Sequence, residues 1–337
     1  MDIDFVVLWV DGNDPEWQRE KARYSNKAID STNAVNRFRD WGLMKYWFRG
    51  IDKYAPWVRK VHFVTWGHLP DFLDPQAPKL NIVNHRDYLK EEYLPTFSSH
   101  TLEMNMHRIP GLTEYFVYFN DDMFLLKPVS KDYFFDLKKG LPRVYCSAMP
   151  LRITGINIPF QRILVNDLGI LNKNIRKREQ KTKMPGKYIS KSYKLKDNLY
   201  NICIRYLFPE YYPGFKVFHC PVAFRKQTFE EIWNSESELL DKVSRNKFRT
   251  NEDVNQWLAL YWQMAKGEFS AGITGKDSQL ETITDDSIER ICKQIVNPDK
   301  TMMCINDPDG DVDFDNLSTK IREAFEVSLP DKCSFEK

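Results

Sequence analysis

The stretch Tyr115-Phe116-Val117-Tyr118-Phe119-Asn120-Asp121-Asp122 runs an unbroken apolar segment directly into an amide and two carboxylates. Continuous apolar runs of roughly four to eight residues mark strands buried on both faces, as in parallel sheets covered by helices. Five other segments share this pattern. Residues 3–10 lead into Asp11, Gly12, Asn13 and Asp14, and Val61–Thr65 leads into Trp66, Gly67 and His68. Residues 80–83 lead into Asn84 and His85, 215–218 into His219, and 302–305 into Asn306 and Asp307. Open α/β sheets bind their ligands outside the carboxyl ends of the strands. Six apolar runs with polar or acidic endings therefore predict one shared functional rim.

Between these runs the spacing is helical. Leu43, Met44, Trp47, Phe48 and Ile51 recur at helix intervals over 41–54, and Pro56 ends the pattern. Further helices are expected over 102–109, 230–243, 252–264 and 315–325. Residues 173–196 carry ten lysines and arginines against one acid, Glu179. They read as a solvated loop, as a cover over an anionic substrate, or as a contact with anionic lipid. The expected layout is a single catalytic domain over 1–337. Its core comprises about 1–127 and 215–337, with a helical and basic insertion over about 128–214.

The 337 residues suffice for a large core, and 42% hydrophobic with 28% charged residues is an ordinary globular composition. A formal net charge of +2 argues against a nucleic-acid binder. Cys146, Cys203, Cys220, Cys292, Cys304 and Cys333 form no CxxC pair and are expected to be reduced. The N-terminus lacks the basic region of a signal peptide, and no stretch has the length of a membrane span. A cytoplasmic location follows as the expectation, with any membrane contact peripheral.

Several chemistries are excluded. There is no GxGxxG or HExxH, and Gly272-Ile273-Thr274-Gly275-Lys276 is followed by Asp277 where a P-loop has Ser or Thr. Asp307, Asp309, Asp311 and Asp313 lack the glycine placement and closing glutamate of an EF-hand. Asn120-Asp121-Asp122 is the strongest candidate site. Adjacent carboxylates repel unless a cation lies near them, and Mg²⁺ takes one or two carboxylates plus phosphate and water. Histidine can exchange a proton near neutral pH, and His219 is a candidate base. Arg249, within Lys247-Phe248-Arg249-Thr250-Asn251-Glu252-Asp253, is a candidate phosphate ligand, as is the string Arg37-Phe38-Arg39-Asp40.

These strings resemble the Stealth family, which includes bacterial capsule phosphotransferases and the catalytic subunit of the lysosomal-enzyme N-acetylglucosamine-1-phosphotransferase. The resemblance lies in four regions: 4–14; the stretches from Arg37, Leu94 and Tyr115 that contain APWVRKVHFVTWG, LPTFSSH and NDDMF; 218–253; and 303–307. Cys220, Val222 and His68 depart from the pattern. The resemblance implies a Rossmann-like, GT-A-related, mostly parallel sheet flanked by helices. It implies a nucleotide-sugar site at Asp4, Trp9, Asp11, Gly12, Arg37 and Asn120. It also implies a Mg²⁺ or Mn²⁺ site at Asp121, Asp122, Asn306 and Asp307, and a catalytic set of His219, Arg249 and Asp122. The implied reaction moves a sugar-1-phosphate from a UDP-sugar, UDP-GlcNAc-like, to a glycan hydroxyl and releases UMP. A metal-dependent glycosyltransferase releasing UDP is the alternative, and a non-catalytic glycan-binding or assembly protein is a third reading.

Overall fold

The computed structural model describes residues 1–25, 39–155, 157–180, 187–308 and 312–337. Arg37, Asp309 and Asp311 lie outside the described residues. The described strands are β1 (Ile3–Leu8), β2 (Val61–Thr65), β3 (Leu80–Asn84), β4 (Tyr115–Asn120), β5 (Met123–Leu125), β6 (Phe135–Asp136), β7 (Leu141–Val144), β8 (Val222–Arg225), β9 (Ser270–Ala271), β10 (Ser278–Thr282) and β11 (Met302–Asn306).

The main sheet has the order β3-β2-β1-β4-β8. Its first four strands are parallel, and β8 lies antiparallel to β4. The apolar runs divide between two cores because successive side chains point to opposite faces. Ile3, Phe5 and Val7 of β1, with Val117 and Phe119 of β4, pack on one face. There they meet Trp47 and Phe48 of helix Met44–Tyr54, and Leu317, Ile321 and Phe325 of helix Phe314–Ser328. Val6, Leu8, Phe116 and Tyr118 pack on the other face. They meet Phe229 and Ile232 of helix Lys226–Ser235 and the heavily buried helix Gln256–Lys266. The fold is thus α/β, with a mostly parallel sheet between layers of helix.

Two expected strands differ. Residues 302–305 do form a strand, but β11 belongs to a separate sheet, order β10-β11-β5. Residues 215–218 form no strand beyond a single bridge from Phe215 to Ala148. Pro213-Gly214 and Pro221 bracket this run, and Phe215 gives its carbonyl to the Tyr261 hydroxyl at 2.9 Å instead of to a ladder. Residues 128–214 include the helices Ile158–Asn174 and Leu195–Leu207. They also contribute β6 and β7, and β7 pairs in parallel with β9. Among the described residues, no helix is long and apolar enough to cross a membrane.

Candidate active site

β1 and β4 end side by side, with Leu8 paired to Asn120 in register. Trp9 follows Leu8 and stacks on Phe63, and Asp121-Asp122 follow Asn120. The chain then leaves the main sheet and enters β5, which pairs antiparallel with β11. Ile305 donates its N–H to the Asp122 carbonyl at 2.9 Å, so the fourth region of the sequence meets the Asp-Asp turn directly. Since β8 runs antiparallel to β4, the residues before Val222 pass the carboxyl end of β4. That brings His219 to the rim as the approach to a strand, not as its end.

These elements enclose a cavity of about 500 Å³. Trp9, Asn120, Asp121, Asp122, His219, Arg249, Asn306 and Asp307 all line it. Asn120 Nδ2 lies 3.1 Å from His219 Nε2, and the same imidazole nitrogen lies 3.9 Å from Asp122 Oδ2. Arg249 donates to Ser99 Oγ at 2.9 Å. Its loop is folded around the buried Asp253, which accepts from the Thr250 N–H and hydroxyl and pairs with His100 Nδ1 at 2.9 Å. Arg39 lies 3.5 Å from Asp307, so this acid already faces a guanidinium.

Three of the expected nucleotide-sugar residues are absent from that wall. Asp4 is fully buried within β1, where Arg59, His62 and the Thr113 N–H hold it at 2.6–3.0 Å. It is a structural ion-pair centre away from the cavity. Asp11 accepts from the Asn13 N–H and gives its own N–H to His68, while Gly12 gives its carbonyl to Gln18. Their turn leads to Asp14, which caps helix Pro15–Tyr24. Conversely, Ser99, His100, Glu103 and Cys304 belong to the site or its support and were not singled out from the sequence. The first three sit within or just after LPTFSSH, a string read as a family mark without roles for its members.

The cavity's described walls carry five carboxylates, Asp40, Glu103, Asp121, Asp122 and Asp307, against two guanidiniums, Arg39 and Arg249. Asp121 is accessible to the cavity's water yet hemmed in by protein. Burial first, then the neighbouring Asp122 and Asp40, push its carboxyl up to about 7. Asp122 Oδ1 is buried and makes no hydrogen bond among the described residues. The ligand atoms of Asp122, His219 and Cys304 all lie within 4.8 Å of one another, a group that could hold a metal ion. Burial and the facing Asp122 keep the Cys304 thiol protonated, its pKa far above the ordinary value. The thiol donates to Asp122 Oδ2 at 3.2 Å and so positions the carboxylate. An oxygen-preferring ion fits this chemistry better than a thiolate-bound one.

An α/β sheet with an acidic, cation-compatible cavity at its strand ends places the chain among α/β proteins that take a ligand at the carboxyl ends of their strands. Residues 1–28 match the Stealth protein conserved region 1 and residues 37–143 match conserved region 2. The chain is 40% identical to a capsular polysaccharide phosphotransferase WcwK of Streptococcus pneumoniae, over 99% of each chain. It is 37% identical to the exopolysaccharide phosphotransferase cps2G of Lactiplantibacillus plantarum, over 100% of this chain and 96% of the other. Identity to the receptor polysaccharide phosphotransferase WefC of Streptococcus gordonii is also 37%, over 99% and 98%. Among solved structures, mouse xyloside xylosyltransferase 1 matches with a TM-score of 0.35 and 12% identity, covering 90% of this chain and 97% of its own. That likeness is too distant to carry an argument. The chain belongs to the Stealth family, and it is a transferase.

Proposed function

We propose that this protein transfers a sugar-1-phosphate from a UDP-sugar to a hydroxyl of an acceptor glycan, forming a phosphodiester and releasing UMP, in capsule or other surface-polysaccharide synthesis. UDP-N-acetylglucosamine is the proposed first donor. The reading is supported by relatives named as polysaccharide phosphotransferases along the whole chain. The observation that carries it is the convergence of Asp122, His219 and Arg249 on one cavity. Mg²⁺ or Mn²⁺, held by Asp122 with Asp121, would neutralise a diphosphate that the lining carboxylates otherwise repel.

In this reading the acceptor oxygen bonds to the β-phosphorus as the bridging P–O bond breaks and UMP departs. His219 takes the acceptor's proton, its ring held by the Asn120 amide at 3.1 Å. Arg249, anchored on Ser99, lines the same cavity and sets its guanidinium charge against the phosphoryl oxygens.

His219 Nε2 faces Asp122 closely enough that base and metal ligand are competing roles for it. Turnover and Mn²⁺ binding by calorimetry separate them. His219→Ala is expected to lose at least about 100-fold in kcat with Mn²⁺ affinity unchanged, whereas Asp122→Asn loses both. Near-wild-type turnover in His219→Ala removes the base, and a matching loss of Mn²⁺ affinity makes His219 a ligand.

A further inference from the structure

Helix Leu195–Leu207 reverses the usual amphipathic arrangement, in which apolar residues face the core. Its inward side is largely polar. The buried Asp197 accepts from the Tyr145 hydroxyl at 2.6 Å and from the Ser147 hydroxyl at 2.9 Å. The buried Asn201 donates to the carbonyls of Cys146 at 3.0 Å and Tyr188 at 2.7 Å. Its outward side is apolar. Leu195 is 78% exposed, Tyr206 75% and Leu207 71%, and Leu199, Tyr200 and Cys203 are exposed too. At 3.6 residues per turn these six positions, with Lys196, fall within one arc of roughly 140°.

The surroundings of this stripe are cationic. Lys191, Lys194 and Lys196 are exposed at the helix's start. Lys177 binds the carbonyls of Ile204 and Phe208 at its end, which brings the exposed Arg176 and Arg178 beside the last turn. The acids close by are Glu179 and Glu210, and Glu210 lies 4.0 Å from Arg178.

From this geometry we infer a peripheral docking surface for an anionic lipid bilayer. The helix lies flat in the interface, with Leu195, Leu199, Tyr206 and Leu207 at the acyl boundary and the flanking lysines and arginines on lipid phosphates. The charge selects this occupant: a second copy of the chain would bring the same cationic rim against itself, and like charges across an interface are unfavourable. The surface goes beyond the proposed chemistry, and its test reads no catalysis.

The test is co-sedimentation of the full chain with vesicles of phosphatidylcholine alone or mixed with phosphatidylglycerol. Binding is expected only to the anionic vesicles and should fall as salt rises. The double variant Leu199→Asp/Tyr206→Asp is expected to lose at least about tenfold in binding, with unchanged circular dichroism. Lys191→Glu/Lys194→Glu should weaken binding without touching the apolar stripe. Failure of the wild-type chain to sediment with anionic vesicles overturns the proposal. So does equal binding by Leu199→Asp/Tyr206→Asp, or a dimer in light scattering that this variant breaks while vesicles leave it intact.

Discussion

Asn120 Nδ2 and His219 Nε2 lie 3.1 Å apart, joining the last residue of β4 to a loop 99 positions further along the chain. The antiparallel direction of β8 makes the contact possible. A parallel strand there would deliver residues 219–221 to the opposite end of the sheet. If the amide orients the imidazole for proton transfer, Asn120→Ala lowers kcat by about tenfold or more and leaves the donor KM nearly unchanged. Steady-state kinetics with varied donor decides this. A change confined to KM would make Asn120 a binding group only.

Asp253 organises the loop that carries Arg249. Burial opposes its charge, but hydrogen bonds from His100 and Thr250 outweigh that effect and hold its carboxyl below the ordinary range. Asp253→Ala strands the buried His100 and the half-buried Asn246 side chain and is expected to cost about 3–5 kcal/mol. Urea unfolding should show the loss directly. Asp253→Asn, which keeps the shape and an acceptor for Thr250, should fall between the two.

The buried histidines His85 and His107 have their pKa values lowered to about 3, by burial in the first place. His107 lies between Phe229 and Trp233, with ring centroids 6.2 and 6.0 Å away. The unfolded chain binds these protons near pH 6.5 and the folded chain does not, so stability is full above 6.5 and falls as the pH drops towards 3. Each residue accounts for a loss of about 2 kcal/mol between pH 7.5 and pH 5. Urea midpoints at these two pH values should differ less in His107→Phe than in the wild type.

Gly275 belongs to no phosphate loop; it is a close-packing position. A Cβ placed there would lie 2.8 Å from Phe218 and 2.9 Å from Tyr145. Phe218 immediately precedes His219, so Gly275→Ala must shift the aromatic side chain beside the proposed base. The expected result is about 1–3 kcal/mol of destabilisation and lower turnover. Thermal melts and kcat measured together check both.

The four parallel strands were legible because each is a short, mostly apolar run whose alternate residues serve two cores. The carboxyl-end rim followed from what terminates them. Asp4 was expected at the nucleotide-sugar site through the family resemblance alone; it occupies the second position of β1, far from the carboxyl end. Its partners Arg59 and His62 are more than fifty residues away, beyond the reach of local pattern. Residues 215–218 have strand-like composition, while the prolines on either side decide the backbone. Cys304 looked like any core thiol, and only the β5–β11 pairing reveals that it faces Asp122. The exposed stripe of helix Leu195–Leu207 was hidden because its period is ordinary and only its direction is inverted.

The central claim concerns which bond breaks. Incubation of the protein with Mn²⁺, a panel of UDP-sugars beginning with UDP-N-acetylglucosamine, and short acceptor glycans, with nucleotide products separated by chromatography, tests it most directly. The account predicts acceptor-dependent release of UMP and a phosphodiester-linked glycan. Acceptor-dependent release of UDP, with the sugar attached through a plain glycosidic bond, would contradict it.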